Sequence, residues 1–345
     1  MALTDIESGR LADNVFDVVG PNKNLIINGA MQVSQRATQR TGVTTTDYQT
    51  CDRFELALGS LGTWTVDQDT NVPNGFSKSF KVTCTTANAS PAASAIANIR
   101  HRIEAQNLQH LKFGTAAAQP LTLSFWVRSN KTGNATCNIR QPDDSFRMVG
   151  FQYSISAADT WEFKTISIPA DTAGTIDNDN GSGLQLEWYL NSGSDFTSGS
   201  HQATWTANVD ANLNPSNLGV GGAVSDYFQI TGVQLEVGSV ATPFEHRTLT
   251  TEITLCQRYY IASQFSIQGN ALSSGFVGGW IQFATPMRIA PTAIISTVSK
   301  FPVSLPDPTV GVSQTQGIRI NVLNSTGSNQ TNIAIGSAYT ADAEL

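Results

Sequence analysis

The chain has 345 residues, enough for two ordinary domains. Only 14% of them are Asp, Glu, Lys or Arg and the net charge is −7; without a concentrated basic surface, nucleic acid is excluded as an expected partner. No apolar run approaches the roughly 18 residues of a membrane span, and the opening MALTDIESGR puts acids where a secretory leader is basic and then apolar, so a cytoplasmically made protein without membrane insertion is expected.

Residues 1–22 come first. Thr4-Asp5-Ile6-Glu7 has the order of a capping box, Leu11 and Val15 are spaced i, i+4, and Gly20-Pro21 stops the pattern. A short helix is predicted, too short to hold in water without a partner to dock on.

From residue 25 the dominant period is two. LTLSFWVRS (121–129) alternates Leu121, Leu123, Phe125 and Val127 against Thr122, Ser124, Trp126 and Arg128, and LQLEWYL (184–190) alternates Leu184, Leu186, Trp188 and Leu190 against Gln185, Glu187 and Tyr189. Each is the pattern of a strand with one face on a core. Further strands are predicted over 76–84, 95–105, 135–141, 161–168 and 227–237, separated by turn clusters such as SNKTGN (129–134) and DNDNGSG (177–183). Many short strands with no long helical pattern between them predict an antiparallel β-sandwich, an all-β fold.

In VQLEVGSVATPFEHR (233–247) the strand is expected to end at Gly238, with Thr242-Pro243 forcing an extended exit. Glu245, His246 and Arg247 are then expected at a helix entrance, solvated or paired across domains. TLTTEITLCQRYY (248–260) is the best helical window, with Ile253, Cys256 and Tyr260 on one face. Short strands return at 278–287, 292–299, 317–323 and 331–339. The expected organisation is an attachment segment (1–22), a β-sandwich (23–247), and a linker helix with a smaller C-terminal β domain (248–345). That last core is small, and oligomerisation would supply the missing burial.

Catalytic signals are sparse. Cys51, Cys84, Cys137 and Cys256 form no CxxC pair and are expected as buried thiols, while His101, His110, His201 and His246 are scattered. There is no GxSxG, HExxH or phosphate-loop pattern, and GVGGA (219–223) lacks the helix and acidic partner of a dinucleotide site. The carboxylates that could pair for glycoside hydrolysis, Asp143, Asp144, Glu236 and Glu245, have no recognisable catalytic setting. No catalysis is expected. Asp177, Asp179 and Asn180 could offer oxygen ligands to calcium around a glycine turn, although a plain turn explains them as well. A glycan site needs aromatic faces together with amide, carboxylate or guanidinium groups. Trp126 and Arg128 on one strand and Gln185, Glu187 and Tyr189 on another fit that need, provided the two strands are neighbours in one sheet. Otherwise Trp126 packs under a loop or at a subunit interface.

NLIINGAMQVSQR (24–36), then Tyr48 with Cys51-Asp52-Arg53-Phe54, then LTLSFWVRS, WEFKTISI and YFQITGVQLEVGSVATPFEHR follow one another in an order that resembles a carbohydrate-binding-module-like, galactose-binding-like jelly roll of bacteriophage tail fibre and other virion fibre proteins. LCQRYY, opening the C-terminal β domain, resembles the same proteins. The resemblance spans about residues 24–290. It implies a virion structural protein, usually a homotrimer, that attaches the particle to host surface glycans, with residues 1–22 docking on other tail or capsid proteins. Such jelly rolls often carry a structural calcium, and no other cofactor is implied. Two alternatives stay open: a purely structural tail-adaptor or head-decoration fibre, and an enzyme-associated carbohydrate module or depolymerase.

Overall fold

The computed structural model describes residues 23–345 except Val303 and Gly327. The helix expected within residues 1–22, and its docking role, lie outside the described residues.

The chain divides into two compact units, one ending at Thr248 and one running from Leu249 to Leu345. The first contains β1 (Gln39–Val43), β2 (Glu55–Gly59), β3 (Thr63–Asp69), β4 (Ser79–Thr86), β5 (Ile96–Glu104), β6 (Leu121–Ser129), β7 (Gly133–Gln141), β8 (Arg147–Ile155), β9 (Glu162–Ile168), β10 (Ser182–Ser192) and β11 (Tyr227–Val237). They form two antiparallel sheets, a six-stranded one in the order β1-β3-β4-β11-β6-β9 and a five-stranded one in the order β2-β5-β10-β7-β8. Most connections carry the chain from one sheet to the other, the jelly-roll habit.

The alternation seen in the sequence decides what lies between the sheets. Leu121, Leu123, Phe125 and Val127 of β6 and Leu184, Leu186, Trp188 and Leu190 of β10 are all buried in one cluster. Phe125 meets Trp188 and Tyr153 of the opposite sheet edge-on, with ring centroids 5.7 and 5.3 Å apart; each such pair contributes about 0.5–1.5 kcal/mol beyond its area. Strand β11 carries a bulge. Its register against β6 shifts between Thr231 and Gln234, and Gly232 takes φ +60. The extra residue resets the parity, so Phe228 and Ile230 before it and Val233 and Leu235 after it all face the core.

The residues that carry the family resemblance close this unit on itself. The Leu25 N–H donates to Leu235 O (2.8 Å) and the Val233 N–H to Gly29 O (2.9 Å). Asn24 donates through Nδ2 to Val233 O at 3.1 Å and accepts the Leu235 N–H at 3.1 Å. Glu245 Oε2 accepts the Asn24 N–H at 2.7 Å, while Arg247 donates to the carbonyls of Ile26 (3.1 Å) and Asn24. The expected place of these charges, solvated or paired across domains at a helix entrance, is therefore corrected for Glu245 and Arg247. They bind the last residues of the sandwich to its first, supplying partners to backbone groups that would otherwise be left unpaired. Nearby, Asn28 Nδ2 bridges the carbonyls of Val33 and Asp52 (2.8 and 2.9 Å), Asp52 accepts the Gln35 N–H (2.9 Å), and buried Arg53 donates to Arg102 O (2.7 Å).

The second unit opens with α1 (Leu249–Gln257), which buries Cys256. β12 (Tyr260–Ala271), β13 (Phe276–Gln282), β14 (Thr292–Phe301), β15 (Thr309–Gln314), β16 (Gly317–Leu323) and β17 (Gln330–Asp342) follow. They form two three-stranded antiparallel sheets, β12-β17-β14 and β13-β16-β15. Tyr260, expected as the end of the helix, instead begins β12. Ile261, Phe283, Ile318, Ile320 and Tyr339 form part of the core, whereas Phe276 (64% exposed) and its cross-strand neighbour Leu323 (40%) face outward.

Candidate functional site

The predicted glycan residues do not share a face. β6 belongs to the six-stranded sheet and β10 to the five-stranded one, and both turn their apolar residues into the same core. Trp126 and Arg128 therefore point out of one side of the sandwich, and Gln185, Glu187 and Tyr189 out of the other. The composite face is corrected on that ground: strand order separates two strands whose individual orientations were read correctly.

On the six-stranded side, Trp126 lies against Phe163 (ring centroids 5.3 Å apart) beside the Gly232 bulge. Arg128 donates to Gln229 Oε1 (2.8 Å) and to Asp159 O (3.0 Å), and its guanidinium covers the Tyr227 ring at 5.0 Å. Its donors are largely spent on its own sheet.

The five-stranded side is richer. On β5, Ile99, His101 and Ile103 face inward, so Asn98, Arg100 and Arg102 face outward; β7 likewise presents Asn138 and Arg140, and β2 presents Glu55. The register aligns these side chains into two adjacent rows. One runs Glu55, Arg100, Glu187, Asn138, and the next runs Arg102, Gln185, Arg140.

Glu187 is the centre. Its carboxylate accepts hydrogen bonds from Gln185 Nε2 (2.6 Å) and Tyr189 OH (2.8 Å), and it faces Arg100 Nε at 3.2 Å and Arg140 Nη1 at 3.5 Å. Burial pushes this carboxyl up, but the Arg140 and Arg100 guanidinium groups, with the bonds from Tyr189 and Gln185, outweigh burial and hold it below the ordinary glutamate value. Glu55 Oε2 faces Arg102 Nη2 at 3.1 Å and Arg100 Nη1 at 3.8 Å. Arg102 also donates to Gln185 Oε1 (2.9 Å) and Tyr48 OH (3.2 Å). Arg140 donates to Asn208 Oδ1 (3.0 Å) and lies 4.5 Å from the centroid of the Phe146 ring.

Two segments flank these rows. Beyond β8, the Gly150 N–H donates to Gln202 O (2.9 Å), Met148 bridges Thr206, and Asn138 Nδ2 donates to Leu213 O (2.6 Å). Leu213 joins Tyr189 and Met148 in a small apolar cluster that buries that end of the face. Beyond β2, Asp47 bridges Leu56 and brings in Tyr48. Between the flanks, the guanidinium side chains of Arg100, Arg102 and Arg140 keep 20%, 16% and 12% of their surface. Three cations stand against two carboxylates on a chain of net charge −7. Gln185, Glu187, Tyr189 and Tyr48 are buried, so what this face offers to the outside is the three guanidinium groups and the exposed Phe146 ring.

No family model matches the chain, and no curated protein sequence matches it. Solved structures give distant likenesses. The enzymatically active domain of bacteriophage CBA120 tailspike protein 4 is 15% identical, covering 63% of this chain and 22% of its own, with TM-score 0.32; the chain thus spans about a fifth of that tailspike. The CBM22-2 xylan-binding domain of Paenibacillus barcinonensis Xyn10C is 12% identical, covering 62% of this chain and 98% of its own, with TM-score 0.29. TmCBM61, solved with β-1,4-galactotriose, is 9% identical, covering 62% and 99%, with TM-score 0.28. TM-scores of this size carry no argument, and the β-sandwich rests on the strand ladders above.

The other predicted residues have structural work. The Asp177 N–H donates to Asp143 Oδ2 (3.0 Å), tying together two loops 34 residues apart, and Asp179 Oδ1 accepts the Gly181 N–H (2.7 Å), which is turn chemistry. Among the described residues no three His, Cys, Asp or Glu side chains converge to hold a metal ion. Glu236 accepts the N–H and Oγ of Thr242 (2.9 and 2.6 Å). A depression of about 300 Å³, lined by Leu108, Gln109, Lys112, Phe113, Thr115 and Ile176, shares no residue with the two rows. Sequence reasoning missed Arg100, Arg102 and Arg140. The signal was present, since Arg100 and Arg102 alternate with Ile99, His101 and Ile103 in a predicted strand.

Proposed function

We propose that the chain is a virion structural protein of the bacteriophage tail-fibre kind, attaching the particle to host surface glycans through the outer face of the five-stranded sheet. The observation that carries this reading is the group of part-exposed guanidinium side chains of Arg100, Arg102 and Arg140, held in place by buried Gln185 and Glu187 and lying beside the exposed Phe146 ring. Sugar hydroxyls need hydrogen-bond donors held in place, and an exposed aromatic ring at the edge suits a sugar C–H face.

Binding rather than catalysis is the activity proposed. A hydrolase of the two-carboxylate type needs one carboxyl held protonated. Glu187 is fully buried and held below its ordinary pKa, and so is unsuited to that role.

Trimerisation belongs to the same proposal. Exposed Phe276, Leu323 and Trp280 on the second unit support it, because a closed oligomer would cover them. Linked copies would then raise the avidity of individually weak sites. Residues 1–22 are proposed to dock on other tail or capsid proteins.

The test is a glycan array probed with the full-length protein. Binding to host-derived glycans, lost on Arg102→Ala with the thermal transition retained, is expected. Purified virions that contain the chain while the protein binds no glycan of their host would defeat the attachment role and favour the adaptor or head-decoration alternative.

A further inference from the structure

The guanidinium groups of the five-stranded face are not equally engaged. Arg102 has Glu55, Gln185 and Tyr48 as partners, and Arg140 has Glu187, Asn208 and the Phe146 ring. Arg100 stands in the middle of its row and touches only carboxylates, through Nε to Glu187 at 3.2 Å and Nη1 to Glu55 at 3.8 Å. Among the described residues its guanidinium makes no hydrogen bond, Nε being buried without one, and its side chain keeps 20% of its surface. Directly along β5 on the same face, Asn98 is fully buried with neither end of its amide hydrogen-bonded.

These observations point to one class of ligand chemistry. A guanidinium flanked by carboxylates that attract it without hydrogen-bonding it keeps its Nη groups available to the two oxygens of an anion. Because two carboxylates face three guanidinium groups here, the face keeps a local excess of one positive charge on an acidic protein. A neutral sugar leaves that charge uncompensated, whereas an anionic substituent pairs with it.

We infer that the glycan held on this face is acidic and presents a carboxylate or phosphate oxygen to Arg100, an inference that rests on the glycan-binding reading above. The two anions offer the same pairs of oxygen atoms to the guanidinium fork and differ in their source.

The experiment measures binding of the full-length protein to immobilised polygalacturonate, alginate and phosphorylated mannan. The same uronate polymers with their carboxyls reduced to alcohols, and dephosphorylated mannan, serve as the matched neutral partners. At least one acidic polymer is expected to bind tenfold or more tightly than its neutral partner, with affinity falling as salt rises. Arg100→Gln should abolish that difference, and Arg100→Lys, which keeps the charge but loses the fork, should reduce it. Arg40→Gln, an exposed change on the other sheet, should leave it intact. Whether the uronates or the mannan show the difference identifies the anion.

Equal binding of the acidic and neutral members of every pair overturns the acidic class and leaves glycan binding standing. An acid preference that survives in both folded Arg100 variants overturns the assignment to this face. Binding to no polymer, acidic or neutral, overturns the glycan reading together with this inference.

Discussion

Removing Glu187 tests whether the polar rows are sealed into the sandwich. Glu187→Ala would leave Arg100 and Arg140 without the carboxylate they share, and the Tyr189 hydroxyl and Gln185 amide without their acceptor. Deleting one member of a buried ion pair costs about 3–5 kcal/mol. For a unit of this size each kcal/mol lowers Tm by about 2–4 °C, so a fall of roughly 6–20 °C is expected. Tryptophan fluorescence during urea unfolding isolates the right unit, because five of the six tryptophans precede Thr248. The same network sets a pH dependence. The Glu187 pKa is lowered in the folded state, so its contribution is complete above the unfolded carboxylate value of about 4.3 and is lost as pH falls through the folded value. Stability of the parent protein should decline more steeply below about pH 4 than that of Glu187→Gln. A loss under about 1 kcal/mol for Glu187→Ala, the scale of exposed pairs, would refute the reasoning, because it would mean that water already screens these contacts.

Two further outcomes follow from the packing. A Cβ at residue 29 would stand 2.1 Å from Val233 O, so Gly29→Ala must push apart the hydrogen-bonded ends of the sandwich and should cost about 1–3 kcal/mol or more; a Tm within 1 °C of the parent, by calorimetry, would contradict that. All four cysteines are buried and outside any disulfide, and burial pushes the thiols of Cys51 and Cys137 far above the ordinary value, so a thiol reagent should label none in the native protein and four after unfolding.

The sandwich was legible wherever one face of a strand is buried and the other is not. β6 and β10 announced themselves by alternation, and their inward residues are the ones expected. β2 did not, because Glu55 to Leu58 are buried on both faces and no period survives. β12 escaped for the opposite reason, being mostly exposed and polar. The face proposed for binding was half legible. Orientation within a strand is a local property, and Gln185 and Glu187 were placed outward correctly. Which strands become neighbours depends on contacts between residues far apart in the chain, such as Glu187 with Arg100, and alternation carries no information about that. The charges of VQLEVGSVATPFEHR show the same limit, since the partners of Glu245 and Arg247 lie some 220 residues earlier, among Asn24 to Ile26.

That closure has a mechanical consequence. The chain enters the sandwich at residues 23–26 and leaves it at 242–247, and the two points are bonded to each other through Lys23 to Pro243 (2.7 Å), Asn24 to Glu245 (2.7 Å) and Arg247 to Ile26 (3.1 Å). A load applied between entry and exit is borne first by these few bonds and bypasses the strand ladders. Under tension the sandwich hangs from the polypeptide as a side loop, and its two sheets keep their geometry until the closure gives way.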